Sequence, residues 1–160
     1  MAKLYKKDYF KDNCGFGLIA NIDGKPSRKI VLDSINALES MTHRGGIGAD
    51  GKTGDGCGLL LQLNKEFFIK TLLIEQGIHL SDKFAVGQLF FFEKFENIEN
   101  KIHKILFKEG LELKAVRSVP INKDILGNIA LDCLPNIYQI FLEPSFNGMS
   151  DCEFETALLQ

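Results

Sequence analysis

Apolar residues recur along this chain with two different periods, and turn residues mark where each run stops. After Ser27, the residues Val31, Ile35, Leu38 and Met41 return at three- and four-residue steps, the stripe of a helix that covers one face. Ser27 can accept the first free N–H groups of that helix, and Asp23-Gly24-Lys25-Pro26 before it is turn chemistry. The stripe stops at His43-Arg44-Gly45-Gly46, where glycine offers the left-handed conformation that ends helices. Upstream, residues 14–22 predict a strand, with Leu18, Ile19 and Ile22 apolar and almost no charge before Asp23. The apolar run Leu59–Leu63 predicts another, followed by a helix over 64–77 that uses Phe67, Phe68, Leu72 and Ile74 and ends at Gly77.

The second half reads in the same way. Residues 84–92 are almost continuously apolar, which suits a strand in a sheet covered on both faces. Residues 95–109 form an exposed amphipathic helical pattern carrying Ile98, Ile102, Ile105 and Leu106. Leu111 to Val119 alternates as a strand near a sheet edge, Ile137–Leu142 is a further strand, and 143–150 is a loop. The helical pattern over 151–160 reaches the last residue without a C-cap, which predicts a chain cut short.

Between these elements, residues 45–58 hold seven glycines interleaved with Asp50, Lys52, Thr53 and Asp55. So permissive a stretch either lets backbone approach a ligand or another segment closely, or is a flexible surface linker. Asp50 and Asp55 read there as turn formers rather than acids.

Composition excludes several classes. With 45% hydrophobic and 25% charged residues in 160, the chain has material for one soluble domain with a real core. A net charge of −2 gives no electrostatic argument for nucleic acid or a membrane surface. No apolar run approaches the ~20 residues of a membrane span, and Met1–Asp8 lacks the apolar core of a secretory signal. Cys14, Cys57, Cys133 and Cys152 form no CxxC pair and have no histidine at metal-ligand spacing. They read as reduced thiols of a cytoplasmic protein.

Cys14 stands apart because of its place. It follows a polar leader, Met1–Asn13, and opens the small, glycine-spaced run Cys14-Gly15-Phe16-Gly17. If the Asn13–Cys14 bond is cut, one residue carries both a thiol and an α-amine of pKa about 7.7–8.0. Nucleophile and base then sit on a single residue, the logic of N-terminal nucleophiles. The alternative is a buried strand cysteine.

The motifs Asn13-Cys14-Gly15-Phe16-Gly17-Leu18-Ile19-Ala20, Gly24-Lys25-Pro26-Ser27, His43-Arg44-Gly45-Gly46 and Ala49-Asp50-Gly51-Lys52-Thr53-Gly54-Asp55-Gly56-Cys57-Gly58 resemble one family in order and spacing. It is the N-terminal, class II glutamine amidotransferase domain of the glutamate synthase large (α) chain. The likeness is strong over residues 8–68 and weaker through Ala85-Val86-Gly87, Val119-Pro120, Leu126-Gly127 and Gln139-Ile140-Phe141. It implies an α+β fold, the four-layer αββα sandwich of N-terminal nucleophile hydrolases, present here only as its N-terminal part. It implies a propeptide at 1–13, and at 14–160 an amidotransferase domain that continues beyond this chain. Cys14 matches the nucleophile that hydrolyses L-glutamine to glutamate and ammonia, and the ammonia then aminates 2-oxoglutarate in downstream synthase domains.

The resemblance further implies an NADPH-type enzyme, with NADH and ferredoxin as open alternatives for the electron donor. FMN and a 3Fe-4S iron–sulfur cluster would lie in the later part of the large chain, and FAD and NADPH in the small partner subunit. Arg44 is the candidate for orienting substrate, since its planar fork suits a carboxylate; complementing a helix C-terminus is the equal alternative. His43 reads as structural. The family's oxyanion-hole Asn-Gly motif and its second arginine motif are not recognisable here: Asn147-Gly148 lacks the surrounding context, and Gly127-Asn128 is in the wrong order. The segment alone is therefore expected to be inactive. Rival readings are a phosphoribosyl-pyrophosphate-dependent amidotransferase and a non-catalytic thiol or scaffold module.

Overall fold

The computed structural model describes residues 15–41 and 45–160. They fall into two compact units: the residues up to Leu61 together with Leu126–Ile129, and Gln62–Ile125 together with Ala130–Gln160. The fold is mixed α/β with one small antiparallel sheet.

The second unit is built on strand β3 (Asn136–Pro144), flanked on its two sides by β1 (Ala85–Phe91) and β2 (Leu111–Ser118), both antiparallel to it. The run Ile137–Leu142 suits a central strand because successive residues point to opposite faces. Ile140 and Leu142 join one buried cluster with Leu106 of helix α3 (Glu99–Lys108), Phe154 of helix α5 (Asp151–Leu158), Phe95, Leu111 and Met149. Phe141, fully buried, joins the other with Leu72 of helix α2 (Lys65–Gln76), Leu80, Phe84 and Ala115. There Phe68 meets Phe141 edge-on, ring centroids 5.5 Å apart, a favoured arrangement of the two ring quadrupoles.

Strand β2 does not keep the unbroken alternation predicted for 111–119. Leu113 pairs with Leu142 and Ala115 with Phe141, so Lys114 is an extra residue on the strand. Such a bulge reverses the facing of everything after it. Leu111 and Leu113 pack into the first cluster, whereas Ala115 packs into the second.

Polar contacts fix α2 against the sheet. The Arg117 guanidinium, only 17% exposed, donates to both carboxylate oxygens of Glu75 at 2.7 and 3.1 Å and to Gln139 Oε1 at 2.9 Å. The bidentate bond holds the Glu75 carboxyl below its usual range. Helix α2 starts on the Asn64 side chain, which accepts from Phe67 N–H, and stops at left-handed Gly77. Helix α5 starts on a reciprocal pair in which Ser150 accepts from Glu153 N–H and the Glu153 carboxylate accepts from Ser150 N–H.

Several expectations need correction. Residues 15–22 and 59–63 are not strands: Phe16 is 97% exposed and Leu18 90%. Neither segment has a ladder partner among the described residues, and an apolar pattern selects a strand only where one exists. Strand β1 is an edge, and Phe90 and Phe92 are exposed, because the α2 cluster reaches only the end of that face carrying Phe84 and Val86. Phe67 and Ile74 lie on the exposed side of α2, and Ile105 on that of α3. A 3-10 turn at Phe95–Asn97 precedes α3, and helix α4 (Asn128–Asp132) occupies a stretch given no element. Helix α5 ends at Leu158, with Leu159 N–H closing onto Thr156.

Truncating Phe141 to Ala should destabilise the second unit by about 3–5 kcal/mol, the usual loss for a buried phenylalanine. Ile74→Ala, on an exposed helix face, should change stability by less than about 0.5 kcal/mol. Denaturant unfolding of both variants checks the pair. Similar losses would place Ile74 in the core after all.

Candidate active site

Cys14, His43 and Arg44 lie outside the described residues, which begin at Gly15 and resume, after Met41, at Gly45. In the first unit, helix α1 (Arg28–Ser40) starts on Ser27, whose hydroxyl accepts from Lys29 N–H at 3.1 Å. It follows a turn in which Gly24 N–H bonds back to Asn21 O. The Ser27 cap is as predicted; the turn spans Asn21–Gly24, two residues before the predicted Asp23–Pro26. The helix ends at Ser40, earlier than the stripe predicts, and Met41 caps it. A Cβ placed on Gly15, the residue after Cys14, would lie 3.4 Å from Met41 Sδ. The chain just after Cys14 thus runs beside the C-terminal end of α1, three residues before Arg44.

The Gly-rich stretch folds into a short hairpin instead of remaining a plain linker. Ile47 and Gly54 form an antiparallel bridge. Gly46 O accepts from Asp55 N–H, Gly48 N–H donates to Thr53 O, and Gly46 N–H donates to Asp55 Oδ2 at 2.8 Å. The turn closes through Gly51, whose φ of 69° is a conformation that side chains disfavour.

Asp50 is the hub of this hairpin. Its Oδ1 accepts from Thr53 N–H at 2.8 Å and Lys52 N–H at 3.1 Å. Its Oδ2 accepts from Thr53 Oγ1 at 2.6 Å and from Ile129 N–H, in the first turn of α4, at 3.1 Å. The Thr53 hydroxyl, then the backbone donors, hold the carboxyl well below the ordinary carboxylate range. A carboxylate so engaged is a weak base at neutral pH, so the geometry makes Asp50 an organiser of backbone. That agrees with its reading as a turn former.

Gly127 and Ile129 were not singled out as site residues. The signal available was the Leu126-Gly127 pair, which carries no chemistry of its own. Among the described residues, no group of three or more His, Cys, Asp or Glu is placed to hold a metal ion, and Cys57, Cys133 and Cys152 are separate exposed thiols. These residues do not fit an iron–sulfur cluster. No helix of the described residues is long and apolar enough to cross a membrane.

The family model of class-II glutamine amidotransferases matches residues 14–160. The chain is 35% identical, over 97% of its length, to the NADPH-named glutamate synthase large chain of Bacillus subtilis. It is 36% identical, over 97% of its length, to the NADH-named glutamate synthase of Saccharomyces cerevisiae. It is 39% identical, over 86% of its length, to ferredoxin-dependent glutamate synthase 1 of Arabidopsis thaliana. The matched regions are 10%, 8% and 9% of those proteins, so the chain spans about a tenth of their length.

The depressed Asp50 pKa sets a pH dependence for the hairpin. Its contribution is complete above the unfolded value of about 3.9 and is lost as pH falls through the lower folded value. The Ile129 amide resonance should therefore hold its position through mildly acid pH and move only below the ordinary carboxylate range. Asp50→Asn should remove that acid step. A step centred at the ordinary Asp value would contradict the hub.

Proposed function

This chain belongs to the class-II glutamine amidotransferases, and from that premise we propose that it supplies the N-terminal cysteine glutaminase site of a glutamate synthase. The observation that carries the reading is that the family match begins at Cys14 itself, the residue that removal of Met1–Asn13 would make N-terminal. Residues 1–13 are then a propeptide, and 14–160 the first part of an αββα sandwich completed by residues beyond this chain. A small antiparallel sheet with helices packed on it supports that reading.

In the proposed reaction the Cys14 thiol attacks the side-chain amide carbon of L-glutamine. The free α-amine of Cys14 takes the thiol proton and returns it to the departing ammonia. Water then cleaves the glutamyl thioester, releasing glutamate and restoring the thiol. A nearby separate base is unnecessary, which suits a chain whose local carboxylates are occupied in turns. Arg44, with its planar five-donor fork, orients the substrate or the loop over it.

The relatives carry the reading to the whole protein. Their names support ammonia use by a glutamate synthase, in which downstream domains of the same chain aminate 2-oxoglutarate, with FMN and a 3Fe-4S cluster held there. FAD and NADPH would belong to a small partner subunit, in the cytoplasm. Names specifying NADPH, NADH and ferredoxin all occur among the relatives. The NADPH form is taken from the likeness to bacterial large chains; oxidation of NADPH in preference to NADH, with glutamine and 2-oxoglutarate present, tests it.

Cys14→Ser in the full-length protein should abolish glutamine-dependent synthesis and leave ammonia-dependent synthesis intact, because ammonia bypasses the glutaminase site. Equal loss of both would make Cys14 structural. Arg44→Lys keeps the charge without the fork; glutaminase kcat/KM should fall about tenfold or more at unchanged melting temperature. Full activity in that variant would assign Arg44 to the helix end.

A further inference from the structure

We propose that Asp50 is a positioning residue of the glutaminase reaction, locking the hairpin Gly46–Asp55, which follows Arg44 in the sequence, onto Gly127–Ile129. The proposal rests on the glutaminase reading above and adds to it residues with no part in the chemistry.

The hairpin needs a lock. It has a single bridge pair, Ile47 and Gly54, and five glycines between 46 and 56, each losing more backbone freedom on ordering than other residues. A lone two-stranded hairpin is marginal in water. The described residues of its unit bury no apolar side chain to hold it. Three of the bonds to Asp50 order the hairpin tip, and the fourth, from Ile129 N–H, ties that tip to a segment distant in sequence.

The docking face is shaped for this contact. Gly127 is the one buried residue among the described residues of the first unit. A Cβ there would fall 2.7 Å from Thr53 N and closer still to Asp50 Oδ2 and Thr53 Oγ1. Across the contact, a Cβ on Gly48 would meet Thr53 O at 3.1 Å and Ile129 Cδ1 at 3.4 Å. The approach is therefore backbone against carboxylate, with no room for a side chain. Gly46, at the hairpin base, is bonded to Asp55 through both its N–H and its carbonyl, and it stands two residues after Arg44.

The test uses the full-length protein with Asp50→Asn and Gly127→Ala. Asparagine keeps the shape but places an NH₂ where one carboxylate oxygen accepted, so a donor faces a donor at Ile129 or Thr53. Both variants should raise the KM for glutamine and lower glutaminase kcat/KM by about ten- to a hundredfold. Ammonia-dependent synthesis and melting temperature should stay near wild type, and the Ile129 amide should lose protection from hydrogen exchange. The double variant should be no worse than the poorer single one, since both break one contact. Unchanged glutamine kinetics in Asp50→Asn would overturn the proposal. So would a parallel fall of glutamine- and ammonia-dependent rates with melting temperature, which would mark general scaffolding. If the Cys14→Ser protein still uses glutamine, the glutaminase reading itself fails and the positioning role falls with it.

Discussion

One carboxylate organises the glycine-rich stretch that follows Arg44 in the sequence. The Asp50 side chain collects four donors, three from its own hairpin and one from Ile129, and the buried backbone of Gly127 lies against it. A glycine-rich loop ordinarily remains mobile because it has most conformational entropy to lose. Here charge-assisted bonds, stronger than neutral ones, offset that loss without an apolar side chain. The arrangement leaves the loop small and polar, which is what a backbone that must come close to a ligand requires.

The second unit is held by different physics. Strand β3 is buried on both faces, and two clusters of apolar side chains close over it, with Arg117 tying α2 to the sheet through Glu75 and Gln139. The bulge at Lys114 lets one edge strand feed both clusters. Nonpolar burial at roughly 25 cal/mol per Å² stabilises the unit as a whole, whereas the Asp50 hub specifies a single local geometry.

Local features were the legible ones. The Ser27 cap, the Gly77 stop, the strand at the centre of the sheet and the turn-forming role of Asp50 each follow from residues a few positions apart. The features missed depend on partners far along the chain. The bulge shows itself only in pairing with β3, and the exposure of Phe67 and Ile74 depends on where α2 lies. Gly127 looks like any loop glycine until Asp50 is beside it. The predicted strands at 14–22 and 59–63 failed for the same reason, since a strand is a property of two segments. Cys14 and Arg44 were legible as candidates because motif order identifies them without any contact.

Cys14, freed as the first residue of the mature protein, is the group we propose attacks glutamine. The most direct measurement is covalent labelling of the full-length protein with a diazoketone analogue of glutamine, followed by peptide mass spectrometry. One equivalent of label is expected on the sulfur of Cys14, on a peptide beginning at that residue, with protection by glutamine. Label on Cys57, Cys133 or Cys152, or on Cys14 still joined to Asn13, would contradict it.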